Sequence, residues 1–166
     1  MKLKAAIILI LFSLVASAET LDTPRVSAWF PSEVHTSDST FTVQDGMRVL
    51  MTTYDAVTDR AGFSLRVKKY PYQVKTTMDD YDRITASDAQ IFIDNLGRCE
   101  VGNSGLGRIL SGRSRHCFGT SKDGKDMFFY EIVSAEGSNE YRAIVGGYGK
   151  EDDDIEIKFF HGIKIK

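Results

Sequence analysis

The closing stretch DDDIEIKFFHGIKIK, Asp152 to Lys166, can be read in two ways. As a single strand, Ile155, Ile157, Phe159, His161, Ile163 and Ile165 fall on alternate positions and so on one face. As a helix, Asp153-Asp154-Ile155-Glu156 is a D-x-x-E cap, and the acidic run sits at the positive end of the helix dipole. Lys158 and His161 then lie near the negative end, Gly162 terminates the helix, and Ile163 to Ile165 form a last strand. The β-branched residues penalise the helix only mildly. Local pattern leaves both readings open, and the choice decides which architecture the chain resembles.

Upstream, the pattern is mainly that of strands. Val26 to Phe30 is a short apolar segment closed by Pro31. Met47 to Tyr54 is rich in β-formers, and Asp55 to Gly62 carries turn chemistry. Phe63, Leu65 and Val67 alternate with Ser64, Arg66 and Lys68, which marks a half-buried strand ending near Pro71. Arg108 to Phe118, Met127 to Ser134 and Tyr141 to Val145 read as three further strands. SKDGKD joins the first two, with Asp123-Gly124 as a hairpin turn, and AEGSN joins the last two. Short polar turns between consecutive strands imply antiparallel pairing. Glu19 to Pro24 reads as a flexible segment and Ser32 to Thr42 as a polar loop.

One further helix is expected. Ser87-Asp88-Ala89-Gln90 matches the S-x-x-Q capping box. Ala89, Phe92, Ile93 and Leu96 share one face, and Gly97 stands where a left-handed residue is wanted. Met78 to Ile84 is read as an additional helical turn before it.

The first eighteen residues, MKLKAAIILILFSLVASA, have the form of a secretory signal peptide. Lys2 and Lys4 form the basic region, Ala5 to Val15 the apolar run, and Ala16-Ser17-Ala18 the small-residue cleavage site. The run is short for a membrane span, and no later stretch is apolar enough to be one. The expectation is therefore 1–18 signal peptide and 19–166 a single domain, periplasmic or secreted, with no membrane span after cleavage. Of 21 Lys and Arg, two leave with the signal, so the remainder faces 23 Asp and Glu with a net charge of −4. That balance argues against a general nucleic-acid binder. Cys99 and Cys117 are the two cysteines. In an oxidising compartment, and far from C-x-x-C spacing, they are expected to form a structural disulfide. Closing that loop stabilises a fold by about 3 kcal/mol.

These segments together resemble the PsbP-like superfamily. The resemblance is carried by VSAWFP (26–31), by LMTTYDAVTDRAGFSLRVKKYP (50–71), by the mid-chain helix leading to GRILSGRSRHCFG (107–119), and by FFHGIKI (159–165). It favours the helix-then-strand reading of the C-terminus. It implies an α+β fold, an antiparallel β-sheet flanked by helices on both faces in an α/β/α sandwich. It supplies no catalytic residues, because the superfamily shares no such set.

The chemistry-bearing residues are sparse. His35, His116 and His161 are far apart and none belongs to an H-x-x-x-H pair, so no metal site is expected. Asp152 to Asp154 lacks the spaced ligands of a calcium loop. GNSGL (102–106) has Leu106 where a nucleophile elbow needs Gly. VGGYGKEDDD (145–154) is Gly-rich, but its Asp run would repel phosphate, and it reads as a glycine turn. No cofactor is expected. One uneven feature is basic: Arg98, Arg108, Arg113 and Arg115, with His116 adjoining, lie in a stretch holding Glu100 as its acid. They form a candidate partner-binding set for an acidic surface or anion, set against a solvated strand face.

The expectation from sequence is a non-enzymatic exported protein that binds a protein partner of the cell envelope. That follows the superfamily, whose better-known members act as subunits or binding factors, and it is analogy at the level of fold. The alternatives are a small-ligand binder or enzyme with a pocket between sheet and helices, and an envelope inhibitor or immunity protein.

Overall fold

The computed structural model describes residues 17–43, 46–74, 98–103, 112–121, 123–149 and 153–166, with 98–103 described by their backbone. Among the described residues, ten strands and one helix follow in chain order. They are β1 (Glu19–Asp22), β2 (Val26–Phe30), β3 (His35–Thr42), β4 (Arg48–Val57), β5 (Ala61–Lys69), β6 (Arg98–Asn103), β7 (Arg113–Thr120), β8 (Asp126–Glu136) and β9 (Asn139–Tyr148). Helix α1 (Asp153–Gly162) and strand β10 (Lys164–Ile165) close the chain. Seven strands form one sheet in the order β3-β4-β5-β9-β8-β7-β6, and β1-β2-β10 form a second, smaller one. Every pairing among the described strands is antiparallel.

The period of two that marks β5 also assigns its faces. Phe63, Leu65 and Val67 are buried on one face, where they meet Val145, Ala143 and Tyr141 of β9 in register. Against this inner face pack Val26, Ala28 and Phe30 of β2, with Phe159, Phe160 and Ile163 from the C-terminus. Phe159 wedges between the sheets, with ring centroids 5.2 Å from Phe30 and 5.4 Å from Phe63, and Phe160 lies 4.7 Å from Tyr130. Offset and edge-on aromatic pairs at such distances add to the area they bury.

The closing stretch is thus a helix followed by a two-residue strand. Gly162 ends the helix as expected, but without a left-handed conformation. Its requirement is proximity, since a Cβ there would stand 3.0 Å from Trp29 Cβ and 3.2 Å from Trp29 N. The two hairpin turns are as read: Gly124 and Gly137 have φ of +74° and +60°, and Gly124 N–H donates to Ser121 O.

The expected α/β/α sandwich is corrected. The fold is mostly β, in two antiparallel sheets, and among the described residues the single helix packs against the inner face. Two segments read as flexible or loop are strands. Glu19–Asp22 pairs with β2, and His35–Thr42 pairs along its whole length with β4. Every residue of β3 is exposed, so its sequence carries no alternation to signal a strand. The expected helices at Ser87 to Gly97 and Met78 to Ile84, and residues 1–16 of the expected signal peptide, lie outside the described residues. No described helix is long and apolar enough to cross a membrane.

Candidate functional site

The basic set expected to bind a partner is divided by strand geometry. Arg98 lies on β6 opposite Phe118, and Arg108 lies outside the described residues. Arg113 and Arg115 point to the outer face of the large sheet, opposite Val133 and Glu131. Arg113 is half-buried and Arg115 only 4% exposed. His116 points to the inner face, its ring 4.0 Å from that of Phe118 and 4.9 Å from that of Tyr130. Successive side chains of a strand leave on opposite faces, so closeness in sequence does not gather these residues into one patch. Cys99 and Cys117 do come together, at facing positions of β6 and β7. Among the described residues, no group of three His, Cys, Asp or Glu is placed to hold a metal ion.

The outer face, which the alternation of β5 assigns to solvent, carries the more organised chemistry. Four rows cross β5 and β9 there: Lys68 opposite Glu140, Arg66 opposite Arg142, Ser64 opposite Ile144, and Gly62 opposite Gly146. Strand β8 continues them, with Glu131 opposite Ile144 and Phe129 opposite Gly146. Glu131 is fully buried and accepts from Arg142 Nε at 2.7 Å, while Arg142 Nη2 pairs with the same carboxylate oxygen. Such a pair holds its geometry because either partner alone would be an uncompensated buried charge. At the next row Glu140 accepts from Lys68 Nζ at 2.6 Å and from Tyr70 Oη at 2.9 Å. Burial, and then the charge of Glu140, push the Tyr70 phenol above its ordinary value. Arg66 stands between these paired groups with no hydrogen-bond or ion-pair partner of its own among the described residues.

Beside Arg66 and Arg142 opens a cleft of about 480 Å³. Its walls are Met127, Phe129, Ile144 and Tyr148, and its floor is the backbone of Gly62 and Gly146. Neither glycine has a positive φ. A Cβ on Gly62 would meet nothing nearer than 4.0 Å, and one on Gly146 nothing nearer than 3.5 Å. The fold therefore tolerates side chains at both positions, and their absence leaves the space open. Tyr148 is 56% exposed at the mouth. The size falls within the roughly 300–1,000 Å³ usual for ligand pockets, as does the mixture of apolar walls with few polar groups. The described lining offers two guanidiniums and one phenol, but no carboxylate, thiol, imidazole or amine. Its two guanidiniums equip it to hold an anion.

Sequence reading passed over this site. Arg66 was the polar half of an alternating strand, and Gly146 part of a glycine turn. Gly146 and Gly147 in fact lie inside β9 and face opposite sides. The available signal was glycine in a strand interior, which marks a close approach or an open surface. No family model matches this chain, and neither a curated protein nor a solved structure matches it significantly.

Proposed function

We propose that this is an exported protein that binds a small ligand in the outer-face cleft, without catalysing its conversion. The signal-like first eighteen residues support export. The observation that carries the binding reading is the glycine-floored cleft with Arg66 at its rim, which has no partner among the described residues. The first test is native mass spectrometry of the processed protein purified from its own host under gentle conditions. A stoichiometric small-molecule adduct is expected, and it should be absent from Gly62→Val, whose side chain would fill the floor. An adduct retained by Gly62→Val would place the ligand elsewhere.

A second reading has one observation in its favour. Strand β3 forms an edge of the large sheet and all eight of its residues are exposed. Its outward backbone groups could pair with a strand of an envelope protein, as in strand addition. Ser39→Lys on that edge should weaken such a complex in a crosslinked pull-down, and an unchanged partner yield would dismiss the edge.

A further inference from the structure

We infer that the ligand is an organic monocarboxylate, its charge held at Arg66 beside Arg142 and its flat apolar body lying over Gly62 and Gly146. This rests on the cleft being a ligand site. Donor supply, repulsion, length and shape specify the ligand.

The first is donor supply. Arg142 commits Nε and Nη2 to Glu131, whereas the fork of Arg66 has no partner among the described residues. One guanidinium fork matches one carboxylate in bidentate fashion. A dianion would call for a second cation with uncommitted donors, and would place its excess charge near the buried Glu131.

The second is repulsion. Arg66 and Arg142 are directly opposite on neighbouring antiparallel strands, where like charges destabilise the pairing. A bound anion at that row gives Arg66 the counter-charge that Arg142 already has in Glu131.

The third is length. Four residues along the strand separate the arginine row from the glycine row, a backbone distance of about 14 Å that a leaning arginine side chain shortens. A ligand that reaches both rows must therefore be longer than a small inorganic ion.

The fourth is shape. Two adjacent glycines present peptide planes with no side chains, bordered by Phe129 from β8. A flat ring fits against such a floor and can meet an aromatic wall at its edge.

Calorimetric titration of the processed protein with three matched probes tests the assignment: naphthylacetate, naphthylethanol and naphthyl phosphate. Naphthylacetate should bind at least about 10-fold more tightly than the other two, a modest demand on a charge-assisted contact. Arg66→Gln should bring the acid and the alcohol to within about 3-fold of each other, with the alcohol little changed. Equal binding of acid and alcohol by the wild type would overturn the charge assignment. If Gly62→Val then abolished both, the cleft would stand as a ligand site. Tightest binding of the phosphate would overturn the monoanion. Failure of all three probes would overturn the ligand class, and only the absence of a co-purifying adduct as well would overturn the cleft.

Discussion

Arg66 and Arg142 face each other across β5 and β9, yet only the second is locked to a carboxylate, that of Glu131, among the described residues. Their stability effects should therefore be opposite in sign. Glu131→Gln leaves a buried guanidinium without its counter-charge, and should destabilise the fold by about 3–5 kcal/mol. In urea this would be a lower midpoint at constant slope. Arg66→Gln removes a like-charge neighbour from a half-buried position and should raise the stability of the ligand-free protein by up to about 1 kcal/mol. A clear loss of stability in Arg66→Gln would mean that Arg66 serves the fold rather than a ligand.

Two glycines should respond in opposite ways to an added side chain. A Cβ on Gly147 would lie 2.3 Å from Arg60 O and 2.9 Å from Ala61 Cβ, so the backbone must shift. Gly147→Ala should cost about 1–3 kcal/mol by overpacking. Gly62 has open space, and Gly62→Val should stabilise the strand by roughly 0.5–1 kcal/mol by limiting the unfolded chain. Thermal unfolding of the two variants beside wild type reads both effects. A stabilised Gly62→Val that no longer binds ligand would separate the role of the cleft from that of the fold.

Cys99 and Cys117 occupy facing positions, the placement required by the proposed cross-strand bridge. Cys117 packs on Phe129, which also lines the cleft. Oxidised protein should react with no alkylating reagent until reduced. Replacing both cysteines by Ser should lower stability by about 2–4 kcal/mol. It should also weaken ligand binding, because the packing behind Phe129 is loosened. Two reactive thiols in the untreated, folded protein would remove the bridge.

How much could be read beforehand depended on whether a strand has one buried face. In β5, Phe63, Leu65 and Val67 alternate against a core and were legible; in β3, no residue is buried and only the ladder to β4 defines the strand. The partnership of Glu131 with Arg142 depends on the register of the β8–β9 hairpin, which periodicity alone does not supply. The same holds for the cleft, because Gly62 and Gly146 become neighbours only through the β5–β9 pairing. Arg113, Arg115 and His116 show the converse: close in sequence, they divide between two faces. Nor does the polar phase of a strand mean solvation, since Arg142 is 8% exposed and Glu131 fully buried.

The Tyr70 phenol predicts the alkaline limit of the fold. Its hydroxyl donates to Glu140 Oε2 at 2.9 Å, and the other carboxylate oxygen accepts from Lys68. Burial first, and the Glu140 charge second, raise its pKa above the ordinary value of 10.0. The native state thus holds this proton more tightly than the unfolded chain does. The resulting stabilisation is complete below the unfolded value and is lost as pH climbs past it towards the higher native one. Wild-type stability should therefore fall more steeply than that of Tyr70→Phe between about pH 9 and pH 11. Near neutrality the variant should be less stable by about 1.5–3 kcal/mol, the range for a hydrogen bond to a charged group. Tyr141 is also raised by burial, but it remains in both proteins, so the difference between the two pH profiles isolates Tyr70. Urea midpoints measured across that range decide the matter, and parallel profiles would mean that the phenol ionises alike in the folded and unfolded chain.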